Sequence, residues 1–284
     1  MRLIDTHCHL QSERFDGDRA SLVSEARRRG VVSGLIAGGG PSDWADCARL
    51  ARCFGWAAGF GVHPLAVPET PEEALAELRA ALGRERADPD SPVIAVAEIG
   101  LDLYGERAHF DRDEYFFAEQ LRIARDFALP VSVHARRAAD QVAKWLRRIE
   151  VPGGVIHAFN GSKEQAEAFL RLGFRLGFGG AMTYAGSRRI RRLAASLPLS
   201  SIVLETDCPD MPSSARRDAG CLRTEPADLA GYLEVLAELR GIPAQELAGP
   251  LFENALDSFP GLRSILERQG RTAGQPPGRL ELHC

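Results

Sequence analysis

Eight short apolar runs, near residues 2–8, 32–37, 56–62, 93–98, 131–134, 154–158, 174–178 and 201–205, alternate with helical patterns along the chain. Each run is rich in Val, Ile, Leu or Ala throughout rather than alternating with polar residues, as in strands covered on both faces. Helical patterns lie between them, for example over 72–82, 115–127 and 163–172, and again over 226–240 and 244–259 after the last run. Strand followed by helix eight times in 284 residues predicts a (β/α)8 TIM barrel. A doubly wound open sheet is the structural alternative. Two helix starts read as capping boxes: Thr70-Pro71-Glu72-Glu73, with proline at its first helical position, and Ser162-Lys163-Glu164-Gln165. A single barrel domain is expected over 1–265, and the polar, Pro- and Gly-bearing stretch 266–284 is expected to be a loose tail.

In such a barrel the C-terminal strand ends carry the chemistry, and here they carry metal-ligand residue types. His7 and His9 close the first run, Glu98 the fourth, His134 the fifth and His157 the sixth, and Asp207 follows the eighth. His7 and His9, two apart on a strand, project from one face about 6.6 Å apart along the chain. They can converge on one ion, while Cys8 between them points the other way. Glu98, ending the apolar stretch from Val93 to Ala97, is costly to bury unless paired or metal-bound. Its two oxygens can link an ion held by His7 and His9 to a second held by His134 and His157. Asp207, beside the first strand once a barrel closes, can ligate the first ion and take a proton from water.

Singly, each of these has an ordinary alternative: a core histidine pair, a buried ion pair with an arginine, a hydrogen-bonded core histidine. Together they predict a dinuclear site at the strand ends, holding two divalent ions drawn from Mg2+, Mn2+ or Zn2+. Glu98 and Asp207 are the expected catalytic carboxylates.

Substrate contacts are expected nearby. His63 in Gly61-Val62-His63-Pro64 is biased to extended geometry by the following proline and is read as a substrate or leaving-group contact rather than a ligand. Arg136, two residues past His134, and Arg223, in Cys221-Leu222-Arg223-Thr224-Glu225-Pro226, suit a phosphorylated substrate. Arg137 and Lys163 fall near the same mouth, and the helix opening at Ser162 offers backbone N–H groups to an anion.

Whole-chain properties narrow the setting. A formal net charge of −4 provides no global positive field, so any DNA must be held locally, at the cleft. Six cysteines scattered through an enzyme-like chain fit a reducing compartment. No apolar run approaches the roughly 20 residues that span a bilayer, and the first strand begins at once, with no signal peptide. A cytoplasmic monomer without membrane contact is expected.

With these residues in hand, the chain resembles the TatD-type metal-dependent deoxyribonucleases, a branch of the amidohydrolase-like barrels, from about Ile4 to Phe259. The resemblance rests on Asp5-Thr6-His7-Cys8-His9-Leu10, Gly61-Val62-His63-Pro64, Glu98-Ile99-Gly100-Leu101-Asp102 and His134-Ala135-Arg136. It continues with His157-Ala158-Phe159-Asn160-Gly161-Ser162, Phe178-Gly179-Gly180 and Glu205-Thr206-Asp207-Cys208-Pro209. It implies one metal on His7, His9, Glu98 and Asp207, a second on Glu98, His134 and His157, and 3′-to-5′ hydrolysis of DNA. Some relatives look like deacylases of mischarged tRNA. Departures fall beside the ligands: Ala135 where serine is common, Ala158-Phe159-Asn160 where Cys-Phe-Ser is common, and Arg223-Thr224-Glu225-Pro226 where Arg-Asn-Glu-Pro is common.

The expected function is therefore a metal-dependent phosphodiesterase acting as a 3′-5′ DNA exonuclease. The alternative is a metal-dependent ester or amide hydrolase, such as an aminoacyl-tRNA deacylase or a small-molecule amidohydrolase. The rim separates them, because phosphate cleavage calls for cations near the centre. A non-catalytic metal scaffold would instead favour a closed, cysteine-rich four-ligand site.

Overall fold

The computed structural model describes residues 1–104 and 109–273. All eight expected strands form: β1 (Leu3–Cys8), β2 (Val31–Ala37), β3 (Ala57–Gly59), β4 (Val93–Asp102), β5 (Val131–Arg136), β6 (Gly154–Ile156), β7 (Phe174–Phe178) and β8 (Ile202–Leu204). They pair in sequence order, every pair parallel. The seam between β8 and β1 is closed by bonds that involve the residues after β8. Asp207 N donates to His7 O at 2.9 Å and His9 N to Cys208 O at 2.7 Å. Thr6 Oγ1 donates to Leu204 O at 3.0 Å. The fold is a TIM barrel.

Around it run α1 (Arg19–Arg28), α2 (Trp44–Phe54), α3 (Glu73–Arg86), α4 (Phe110–Phe127), α5 (Ala139–Arg148), α6 (Lys163–Arg171), α7 (Arg188–Ser196) and α9 (Leu229–Arg240). The short α8 (Ser214–Asp218) lies in the loop after β8. One apolar cluster joins strands to surrounding helices through residues such as Trp56, Phe116, Phe117 and Phe169. A second joins Ile4, Ile94 and Val203 of the strands to Phe252 and Leu256 of α10 (Ala244–Ser258) and to Leu262 and Ile265 of α11 (Gly261–Ala273). Ile4, Ile94 and Val203 lie three or four residues before His7, Glu98 and Asp207, so α10 and α11 pack away from the ligand-bearing ends.

Three local expectations need correction. The boundary expected at 265 falls inside α11, which continues to Ala273; residues 274–284 of the expected tail lie outside the described residues. The Ser162–Gln165 capping box forms at α6, but the one expected at Thr70 does not. The Thr70 hydroxyl donates instead to Ala66 O at 2.8 Å, finishing a 3-10 turn over Val67–Glu69, and α3 starts after Glu72. Finally, β4 does not end at Glu98. It runs on to Asp102, with an irregularity in its pairing to β5 between Val96 and Ile99. Such a bulge re-aims a side chain without ending the strand.

Candidate metal centre

Parallel register brings the strand ends together at one end of the barrel. Glu98 lies at the centre, 2 % exposed, with its two oxygens facing different partners. Oε2 lies 3.3 Å from His7 Nε2 and 3.4 Å from His9 Nε2. Asp207 Oδ1 completes this group at 3.8 Å from His7 Nε2 and 3.3 Å from His9 Nε2. Oε1 faces the other way, at 2.6 Å from His157 Nε2, 3.0 Å from His134 Nδ1 and 3.3 Å from His63 Nε2. The His7 and His157 rings stack between the groups, 4.0 Å apart and 8° from parallel.

These donors fit divalent metal. Four ligand atoms arranged tetrahedrally at about 2.0–2.1 Å from an ion lie about 3.3–3.4 Å from one another, which is the spacing of most contacts in the first group. His7 Nε2 is buried, aimed into this group, and has no hydrogen-bond partner. An orphaned imidazole nitrogen facing two carboxylate oxygens is the arrangement expected of a metal ligand. Imidazole and carboxylate donors suit zinc or manganese, or magnesium where more oxygen is available.

Neighbouring groups orient the rings. His7 Nδ1 is hydrogen-bonded to Ser132 Oγ at 2.8 Å, and His9 Nδ1 donates to Ala37 O at 2.9 Å. His134 Nε2 donates to Asp102 Oδ2 at 2.9 Å, which turns its Nδ1 toward Glu98. Carboxylate–histidine pairs of this kind fix ring orientation and raise ligand basicity. Asp5 accepts from Thr206 Oγ1 at 2.5 Å, Thr206 N at 2.9 Å and His7 N at 3.3 Å, locking the residues after β8 to β1. Gly100, at φ +146° opposite His134 in the β4–β5 ladder, has no room for a side chain against the His134 backbone.

Burial and neighbours set the charges. Burial opposes charge on Glu98, but His63, His157 and His7 hold its carboxyl well below the usual range. Asp207 is likewise held low against burial, mainly by its bond to His9. Burial pulls His7 down to about 4, leaving a neutral imidazole. Burial also opposes a proton on His9 and His134, yet the carboxylates overcome it, raising His9 well above its ordinary value and His134 to about 9. The cluster draws positive charge, from protons where no cation supplies it. Glu205, buried with its Oε1 accepting from Ala158 N, is pushed well above the usual carboxylate range by desolvation. It occupies space that exists because Gly177 has no side chain.

All six expected ligands therefore meet at one place. His63, expected to touch substrate only, sits within the second donor group with Glu98 and His134. Asp102 lies in a quoted motif, yet nothing in the sequence separates it from any other post-strand aspartate. Cys8 does point away, with Sγ donating to Leu35 O at 3.4 Å.

Beside the centre opens a cleft of about 640 Å3, lined by His134, His157 and Asp207 and by residues of the loops after β4 to β8. Arg136 and Arg137 line it, as does Arg189 of α7, which sequence reasoning missed. Arg223 does not line this cleft. Its guanidinium pairs with both oxygens of Asp18, at 2.6 and 3.0 Å, and with Glu225 at 3.0 Å. The capping box also takes the backbone N–H groups of Ser162 and Gln165, removing two of the donors expected to hold an anion there.

Fold and site together fit a metal-dependent hydrolase built on a TIM barrel. Residues 4–260 match the family model described as TatD related DNase. The chain is 38 % identical over 260 residues to the metal-dependent hydrolase YjjV of Escherichia coli K12, covering 91 % of this chain and 98 % of that protein. A metal-dependent hydrolase of Haemophilus influenzae is 34 % identical, covering 91 % and 100 %. The 3′-5′ ssDNA/RNA exonuclease TatD of Pantoea vagans is 32 % identical, covering 90 % and 99 %. The crystal structure of YjjV superposes with a TM-score of 0.85 at 37 % identity, covering 91 % of this chain and 98 % of that one. The chain belongs to the TatD family of metal-dependent hydrolases. Among the described residues, no helix is long and apolar enough to cross a membrane.

Proposed function

We propose that this protein is a phosphodiesterase that removes nucleotides from DNA in the 3′-to-5′ direction, using two divalent ions. The observation that carries this reading is a donor cluster split by Glu98, beside a cleft lined by three arginines. The exonuclease named among the relatives gives independent support.

In this reading His7, His9, Glu98 and Asp207 hold one ion, and Glu98, His134 and His157 the other, with His63 beside it. Two such cations lower the pKa of bound water and neutralise charge developing on phosphate oxygens. Asp207 accepts the proton from the attacking water: against burial it is held low by its bond to His9, and at 15 % exposed it lines the cleft, where Glu98 is 2 % exposed. His63, 19 % exposed and 3.3 Å from Glu98 Oε1, is the residue we assign to the leaving oxygen. The arginines hold the substrate's phosphates. Magnesium, manganese and zinc all suit the donors, and the setting we infer is a cytoplasmic monomer.

The test is hydrolysis of end-labelled single-stranded DNA by metal-stripped protein with each metal added back, beside Asp207→Ala. A metal-dependent ladder shortening from the 3′ end, lost in the variant, is expected. No cleavage despite two bound metals would favour the ester and amide hydrolases instead.

A further inference from the structure

The cleft is asymmetric, and its far wall is built for more than phosphate. Tyr104, just past β4, is 52 % exposed, one of few large apolar side chains among the described residues left open to solvent. The Arg136 guanidinium lies 3.6 Å from its ring centroid and that of Arg137 4.6 Å. Nothing in the core calls for this ring. It is nonetheless geared to the metal centre: Tyr104 N donates to Asp102 Oδ1 at 2.8 Å, and Asp102 Oδ2 accepts from His134 Nε2. Leu103 N also donates to Arg136 O at 2.8 Å, so ring and guanidinium ride on the same paired strand ends.

Across the cleft, Arg189 Nη2 donates to Asn160 O at 3.0 Å and to Asn160 Oδ1 at 2.8 Å. Both acceptors are neutral. Among the described residues, then, Arg137 and Arg189 have no carboxylate partner, and Arg136 has only the long contact to Asp102 Oδ2, at 3.8 Å.

Resting on the phosphodiesterase reading, we infer that Tyr104, backed by Arg136 and Arg137, is the platform on which the nucleobase beside the cleaved bond stacks, while Arg189, held by Asn160, binds a neighbouring phosphate. An aromatic face with arginine beside it binds any unpaired base through its π-face, and phosphate contacts add salt-sensitive affinity. At about 640 Å3 the cleft lies within the size range of small-ligand pockets, about 300–1,000 Å3. It takes a terminal nucleotide that has left its partner strand. The specificity is for unpaired ends with little preference among bases.

The experiment uses the full-length, metal-loaded protein and single-stranded oligodeoxynucleotides whose terminal nucleotide is intact or abasic, one set for each end. In the wild type, loss of the terminal base at the attacked end lowers kcat/KM by roughly five- to a hundredfold, the range for loss of one stacked base. In Tyr104→Ala that ratio collapses toward one, with the loss on intact DNA appearing in KM, and Tyr104→Phe restores it. Arg189→Gln weakens binding and flattens its dependence on salt by about one phosphate contact. A base-dependence that survives in Tyr104→Ala, or a Tyr104→Ala defect equal on intact and abasic ends, overturns the inference and leaves the phosphodiesterase reading standing. Failure of the wild type to cleave any oligonucleotide with any metal sinks that reading, and this inference with it.

Discussion

The floor of the site and its rim are made differently. The floor consists of short side chains, His, Asp and Glu, fixed at strand ends and spaced 2.6–3.8 Å from one another. The rim consists of exposed arginines and a tyrosine, from the end of β5, the loops after β4 and β5, and α7, each held by only a few neighbours. Backbone register and short hydrogen bonds to the rings determine where the floor atoms lie, whereas rim atoms depend on which neighbour catches a long, flexible side chain. The floor should therefore respond to substitution with loss of metal and chemistry, and the rim with graded loss of affinity.

The sharpest way to break this contrast is at Glu98, the one residue shared by both donor groups. Glu98→Gln is expected to reduce metal content, measured on folded protein by elemental analysis, from two ions to fewer than one, and to bring hydrolysis below detection. Retention of two ions would show that the groups fill independently. Asp102→Asn leaves every ligand in place but weakens the bond that orients His134. An outer partner of this kind is worth about 10- to 100-fold in metal affinity or activity. Loss confined to one of two binding steps in a calorimetric titration would separate the two halves of the floor.

A pH series sharpens the comparison further. Burial alone would pull His134 down, but Asp102 and Glu98 raise it to about 9, so near neutrality in the metal-free protein it carries a proton that must leave before Nδ1 can ligate. Metal affinity should therefore fall as pH drops below about 9, by up to about tenfold per pH unit for each proton displaced. The charge of the rim should not change over that range, because guanidinium stays protonated. Metal affinity that is flat between pH 6 and 8 would contradict the proton-for-metal exchange. The smallest effect is expected at Arg223. Its partly exposed pair with Asp18 is worth about 0–1 kcal/mol, so Arg223→Ala should lower Tm by no more than about 2–4 °C. KM should stay within about twofold of wild type, since Arg223 does not line the cleft. A large rise in KM would return Arg223 to the rim.

What could be read in advance follows the same division. Apolar runs marked all eight strands, and His or carboxylate at their ends marked the donors. The Ser162 box was readable because both its partners are local. The Thr70 box was not, because the hydroxyl found a carbonyl four residues back. Glu98 seemed to end a strand because its charge interrupts the apolar pattern; the bulge that keeps β4 going to Asp102 is a matter of pairing with β5. Arg189 could not be singled out from the arginines around it, since only packing of α7 beside the loop after β6 brings it to Asn160.

The sequence by itself determined the order of eight strands and helices and marked out six side chains of metal-ligand type, because hydrophobic periodicity and residue chemistry are local properties. Tertiary structure alone decided that Glu98 divides its oxygens between two groups, that His63 joins the second, and that Asp102 steers His134. It also decided that Arg223 is tied to Asp18 while Arg189 faces the cleft. Those outcomes depend on distances between residues tens to hundreds of positions apart, which exist only once parallel register closes the barrel.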